Sequence, residues 1–133
     1  MTPATSPRIF LLNAACSGFL AVALGAFGAH ALKDQLDSYA MSIFNTAVQY
    51  HMIHTLALLA VALLAVRVER PSRLLFSAGI AFTAGILIFS GSLYVLSITG
   101  VRWLGAITPI GGLGFLLGWA LLFCWALVDK PRQ

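Results

Sequence analysis

Few side chains in this chain could do chemistry. His51 and His54 stand three apart and are expected to share one helix face, with Tyr50 four residues before His54. Two imidazoles on one face can bind a metal, but a protein site supplies three or four ligands. His30 is the only other histidine. A bis-His pair at this spacing on one helix could not flank a haem iron. No metal and no cofactor is therefore expected. Ser90 and Ser92 lie two apart, about 200° around a helix, so they do not share a face. Ser92 joins a stripe of small residues, and Ser90 is expected to bond back to its own helix. Every acidic residue lies outside the apolar runs, so no Ser-His-acid triad can form and no catalytic residue is expected. What remains is binding: an outer-side polar cluster of His30, Gln49, His51, His54, Ser90, Ser92, Tyr94 and Thr108. Its chemistry would be hydrogen bonding by neutral imidazole between helices, or ligand binding and proton handling.

The elements that must position these groups are four apolar runs, residues 9–29, 47–66, 74–97 and 104–128, none containing Asp, Glu, Lys or Arg. A helix needs ~20 predominantly apolar residues to cross the hydrocarbon core. The fold class is thus an all-α membrane protein of four transmembrane helices, one four-span domain over residues 1–133. With 60% hydrophobic and 9% charged residues among 133, no separate soluble domain fits. Arg8, Arg67, Arg70, Arg73, Lys130 and Arg132 fall on one side, and only Lys33 and Arg102 on the other. The excess of basic residues marks the cytoplasmic side, so both termini are expected in the cytoplasm. Scattered at membrane edges, these charges do not point to nucleic acid.

Arg8, the first run and the Ala29-His30-Ala31 sequence have the outline of a signal peptide. The run is longer than a signal's 7–15-residue apolar stretch, so an uncleaved span is expected. Between spans one and two, Leu32, Leu36, Tyr39, Ala40, Ile43, Phe44 and Ala47 recur at helical spacing. This amphipathic segment either lies in the outer interface or extends span two, with Asp37 or Ser38 as its N-cap. Pro71 should stop span two or start span three, and Pro109 should kink span four or lie in its first turn. Cys16 and Cys124, in the inner halves of their spans, are expected to be buried thiols without a disulfide.

Small residues mark packing faces: Ala14, Gly18, Ala21, Gly25 and Gly28 in span one; Ala78, Ala81, Gly85 and Ser92 in span three; Gly111, Gly114 and Gly118 in span four. Helices in lipid associate where small residues let backbones approach, mostly within the chain here. Up-and-down topology brings the polar groups to one level, expected within ~10–15 Å of the outer helix ends at 1.5 Å per residue. His54 is expected to find a partner among Ser90, Ser92, Tyr94 and Thr108.

Four segments carry a resemblance: Gly25-Ala26-Phe27-Gly28-Ala29-His30, the start of span two around His54, Phe89-Ser90-Gly91-Ser92-Leu93-Tyr94, and Thr108-Pro109-Ile110-Gly111-Gly112. Together they resemble the signature of the YgdD-like family of small bacterial inner-membrane proteins, whose function is unassigned. His51 stands where that pattern carries Gln. The resemblance implies a multi-pass protein of the bacterial inner (plasma) membrane and supplies no catalytic or binding residue. The expected role is non-enzymatic: structural or interaction work with membrane lipids, a partner membrane protein or a second copy of the chain. A small transporter or channel is the alternative, although no intramembrane carboxylate is present to couple protons. A quinone- or redox-linked subunit using His54 and Tyr94 is a third reading.

Overall fold

The computed structural model describes residues 5–68 and 72–128. Pro71 and Arg70 lie outside the described residues, as do Lys130 and Arg132. Helix α1 (Thr5–Phe27) runs into a π-helical turn (Gly28–Leu32). Helix α2 (Ser38–Arg67) follows; α3 (Arg73–Gly85) continues through a second π turn (Ile86–Ser90) into α4 (Gly91–Thr99); α5 (Leu104–Val128) closes the bundle. Four helices are thus long and apolar enough to cross a membrane: Pro7–Leu32, Ser38–Arg67, Arg73–Thr99 and Leu104–Val128. The protein is a multi-pass helical membrane protein.

The amphipathic segment between spans one and two resolves as the extension of span two. Residues 33–36 turn sharply after Leu32, whose carbonyl accepts from the Gln35 and Leu36 amides. The Asp37 carboxylate then caps α2 by accepting from the Ala40 amide at 2.7 Å. Ser72 caps α3 through the Leu75 amide. Gly100 ends α4 at φ 70°, a left-handed position that an L side chain resists, and its amide bonds Leu96. Tyr39 and Trp103 stand exposed near the helix ends opposite the chain termini, where aromatic rings suit a headgroup region.

The helices pack by seating phenylalanines on glycines. Phe10 fills the place of a side chain at Gly79, Phe44 at Gly28, Phe115 at Gly85 and Phe82 at Gly118. Gly111 lies against the Phe89 backbone, and a Cβ at Gly114 would sit 3.3 Å from the Ala81 carbonyl oxygen and the Gly85 Cα. The stripes therefore serve contacts within the chain, as expected: span one against α2, and α3 against α5. Phe10, Leu58, Val61, Phe82 and Phe115 anchor the core they close on. Helix α2 is central, touching every other span, whereas α1 and α3 meet only sparingly. Pro109 sits inside α5, beyond its first turn, and leaves the Gly105 carbonyl without its usual helical donor.

Two expectations about small groups fail. Cys16 and Cys124 are exposed on the bundle's outward surface instead of buried. Their helices turn the small-residue stripe inward, and the thiols fall on the opposite side. The histidines of span two are also farther from their helix end than expected. Because α2 begins at Ser38, His51 and His54 lie ~20 and ~24 Å from its start at 1.5 Å per residue, near the middle of the helix, whereas Ser92, Tyr94 and Thr108 stay within the expected ~10–15 Å of theirs.

Candidate functional site

The two histidines of α2 do not face the same neighbours. Three residues along a helix is a rotation of about 60°, and that difference sends them to opposite sides. His51 turns toward α1 and α4. Its Nε2 is 3.0 Å from the Ser17 hydroxyl, and its Nδ1 is 3.1 Å from the Tyr94 hydroxyl. Ser17 is in turn 2.6 Å from the Thr55 hydroxyl. Thr55, Ser17, His51 and Tyr94 thus form one hydrogen-bonded chain across three helices.

That chain forms part of the wall of a cleft of about 310 Å³ between spans one and three. Asn13 and Thr83 add a second polar pair, the Asn13 amide donating to the Thr83 hydroxyl at 2.8 Å. Thr83 donates onward to the Gly79 carbonyl. Leu20, Leu24, Ile86 and Leu87 supply apolar walls. Leu20, Leu87 and Cys16 are also exposed, so the cleft opens sideways toward lipid. Gly91 keeps it open, since a Cβ there would meet nothing within 4 Å.

His54 faces α5. The Trp119 indole N–H donates to its Nε2 at 3.2 Å. An indole only donates, so Nε2 is the acceptor and Nδ1–H donates to the Tyr50 carbonyl at 2.8 Å. Phe115 stacks on the imidazole with ring centroids 3.5 Å apart and planes 9° from parallel. Both ring nitrogens and one face are engaged, which makes His54 a packing element of spans two and four. Its expected partners on span three and at Thr108 are not used. They are engaged elsewhere, and the rotation of α2 turns His54 away from them.

The remaining expected residues separate in the same way. Ser90 does not bond to its own helix; its hydroxyl donates across to the Ala47 carbonyl of α2 at 2.9 Å. Ser92 meets Thr108 hydroxyl to hydroxyl at 2.7 Å, tying α4 to α5. His30 is exposed and joins no cluster, whereas Gln49, also exposed, lines a second, open cleft beside Tyr50, His54 and Trp119 between spans two and four. Only His51 and Tyr94 of the expected set therefore line the cleft between spans one and three. Ser17, Thr55, Asn13, Thr83 and Trp119 were missed. Asn13 and Ser17, polar and one turn apart in an otherwise apolar run, carried a readable signal. Among the described residues, no three His, Cys, Asp or Glu side chains come together.

Residues 24–112 match the model of a family described as Protein of unknown function (DUF423). That stretch holds His51, Thr83 and Tyr94 but not Asn13, Ser17 or Trp119. The chain is 44% identical over 115 residues to the UPF0382 membrane protein YwdK of Bacillus subtilis (strain 168), covering 86% of this chain and 93% of that one. It is 43% identical over 125 residues to the UPF0382 inner membrane protein YgdD of Escherichia coli (strain K12), covering 94% of each. A UPF0382 membrane protein of Staphylococcus epidermidis (strain ATCC 12228 / FDA PCI 1200) is 45% identical over 119 residues, 86% of this chain and 92% of its own. No solved structure matches the chain.

Proposed function

The chain belongs to the DUF423 family, and from that premise we propose that it is a non-enzymatic binding protein of the inner membrane, holding a bilayer-borne amphiphile in the cleft between spans one and three. The cleft carries this reading. Polar side chains in hydrocarbon are costly unless paired, and here Asn13, Ser17, His51, Thr83 and Tyr94 gather along one cleft, where spans one and three meet only sparingly. Its volume, about 310 Å³, suits a small headgroup, and its apolar remainder suits a chain. An inner-membrane address is supported by the name of the Escherichia coli relative. Six basic residues against two support cytoplasmic termini.

The test is Gly91→Leu, whose Cβ would meet nothing within 4 Å and whose remaining side chain would occupy the cleft. Wild type and variant are extracted in mild detergent, checked for equal thermal stability, and their retained lipids and small molecules weighed by mass spectrometry. One amphiphile, near stoichiometric in wild type and depleted in the variant, is expected. Identical retained molecules in both would refute the reading.

A further inference from the structure

Resting on that cleft reading, we infer that His51 is a proton-binding site built into the cleft, through which the cleft takes up a singly negative head together with one proton. The two histidines of α2 divide by what their partners can do. Both His51 nitrogens face hydroxyls, Ser17 at 3.0 Å and Tyr94 at 3.1 Å. A hydroxyl donates or accepts by turning its O–H. His51 is therefore served in either tautomer, and also as the doubly protonated imidazolium, with no heavy atom moved. His54 is not. Its second proton would sit on Nε2, against the Trp119 indole N–H, which only donates.

The extra proton also sets what the cleft offers. With both His51 nitrogens donating, Ser17 donates on to Thr55, and the Thr55 hydroxyl turns to a carbonyl of its own helix. Tyr94 accepts from His51, and its own O–H is released to donate. His51 and Tyr94 both line the cleft, so a charge and a donor meet the occupant there.

Charge balance then selects the partner. The titratable groups lining the cleft with His51 are Cys16 of α1 and Tyr94 of α4. From α3 and its π turn come Thr83, Ile86 and Leu87, which do not titrate, and among the described residues no Asp, Glu, Lys or Arg lines the cleft. An imidazolium alone is costly in hydrocarbon, and so is an anionic head alone. Together they cancel, so each raises the affinity for the other. The proton comes from the aqueous phase as imidazole becomes imidazolium, and no other bond is made or broken. Tyr94 stands ~7.5 Å of helix before the end of α4 at Thr99, so the proton has a short way to come.

The test reads the imidazoles directly. Protein with nitrogen-labelled histidine, in a His30→Gln background at an exposed position outside the cleft, is followed by NMR in micelles from about pH 6 to 8. The probes are decanesulfonate, negative at every pH used, and decanol, neutral throughout. Both should shift the His51 signals, and neither should do so in Gly91→Leu. Only the sulfonate should add the second proton. Its half-saturating concentration should rise about tenfold per pH unit on the alkaline side, as uptake of one proton requires, and that of decanol should stay flat. His54 should keep a single N–H throughout. Shifts by decanol alone, shifts by both probes without a second proton on His51, or a second proton on His54 instead would overturn the proton site and leave the cleft reading standing. No shift by either probe, or equal shifts in Gly91→Leu, would overturn both.

Discussion

Adding one methyl at two glycines of the same bundle should have opposite effects. At Gly91, helical and facing open space, an Ala Cβ meets nothing within 4 Å. Alanine is worth up to ~1 kcal/mol over glycine inside a helix, so Gly91→Ala should gain ~0.5–1 kcal/mol. At Gly111 the same methyl lands on the Phe89 backbone, with the Phe89 Cα 2.7 Å away. A side chain could rotate aside; a helical backbone held by its own hydrogen bonds cannot. Overpacking costs ~1–3 kcal/mol, and a backbone collision belongs at the top of that range. After the same propensity gain, Gly111→Ala should lose ~2–2.5 kcal/mol. The propensity gain cancels between the two, so they should differ by ~3 kcal/mol, about 10 °C in melting temperature for a chain of this size. Thermal unfolding in one detergent, followed by intrinsic fluorescence, measures the gap. Equal melting temperatures, or a more stable Gly111→Ala, would refute the claim that the backbones of spans three and four touch there.

Larger insertions test the stripes: Gly85→Leu and Gly114→Leu should unfold at clearly lower temperature, whereas Leu63→Val, at a side chain 55% exposed, should be nearly silent in the same melt. A double-mutant cycle on His54→Leu and Trp119→Phe should give a coupling of ~0.6–1.7 kcal/mol, because either change alone strands one partner of the 3.2 Å bond; a coupling near zero would remove that bond from the account. His54→Gln should retain more stability than His54→Leu, since an amide can still accept from Trp119 and donate to Tyr50. A reporter active only outside the membrane, fused after Gln133, should be silent, and a strong signal would reverse the orientation.

Much of the fold was legible because lipid imposes simple rules. The fourth span, 104–128, has the ends that hydropathy suggested. The glycine stripes were readable because close backbone approach requires small residues wherever the partner lies. The start of span two admits two readings: Ser38–Phe44 mixes polar and apolar residues as an interfacial helix would, and the cap of Asp37, one of two candidates, on Ala40 decides for the extension. The candidate site was less legible still. His51 and Tyr94 could be named as polar groups, yet their meeting depends on α2 lying central in the bundle. Ser90 was assigned to its own helix because nothing in the chain shows that the Ala47 carbonyl stands opposite. Trp119 was overlooked, since a tryptophan in a span is usually an interfacial anchor and not a donor to a buried imidazole.

The wide turn at Ile86–Ser90 has a consequence for the family's history. A π turn accommodates one residue more than an α-helical path of the same course, so the helix beyond it keeps its facing. Losing one residue inside this stretch should leave Ser92 opposite Thr108 and Tyr94 opposite His51, with the backbone merely tightened. Losing one anywhere else in the span would rotate the rest by about 100° and carry both side chains away from their partners. Members of the family whose third span is one residue shorter should therefore lack that residue at this turn, the place in the span that can absorb its loss.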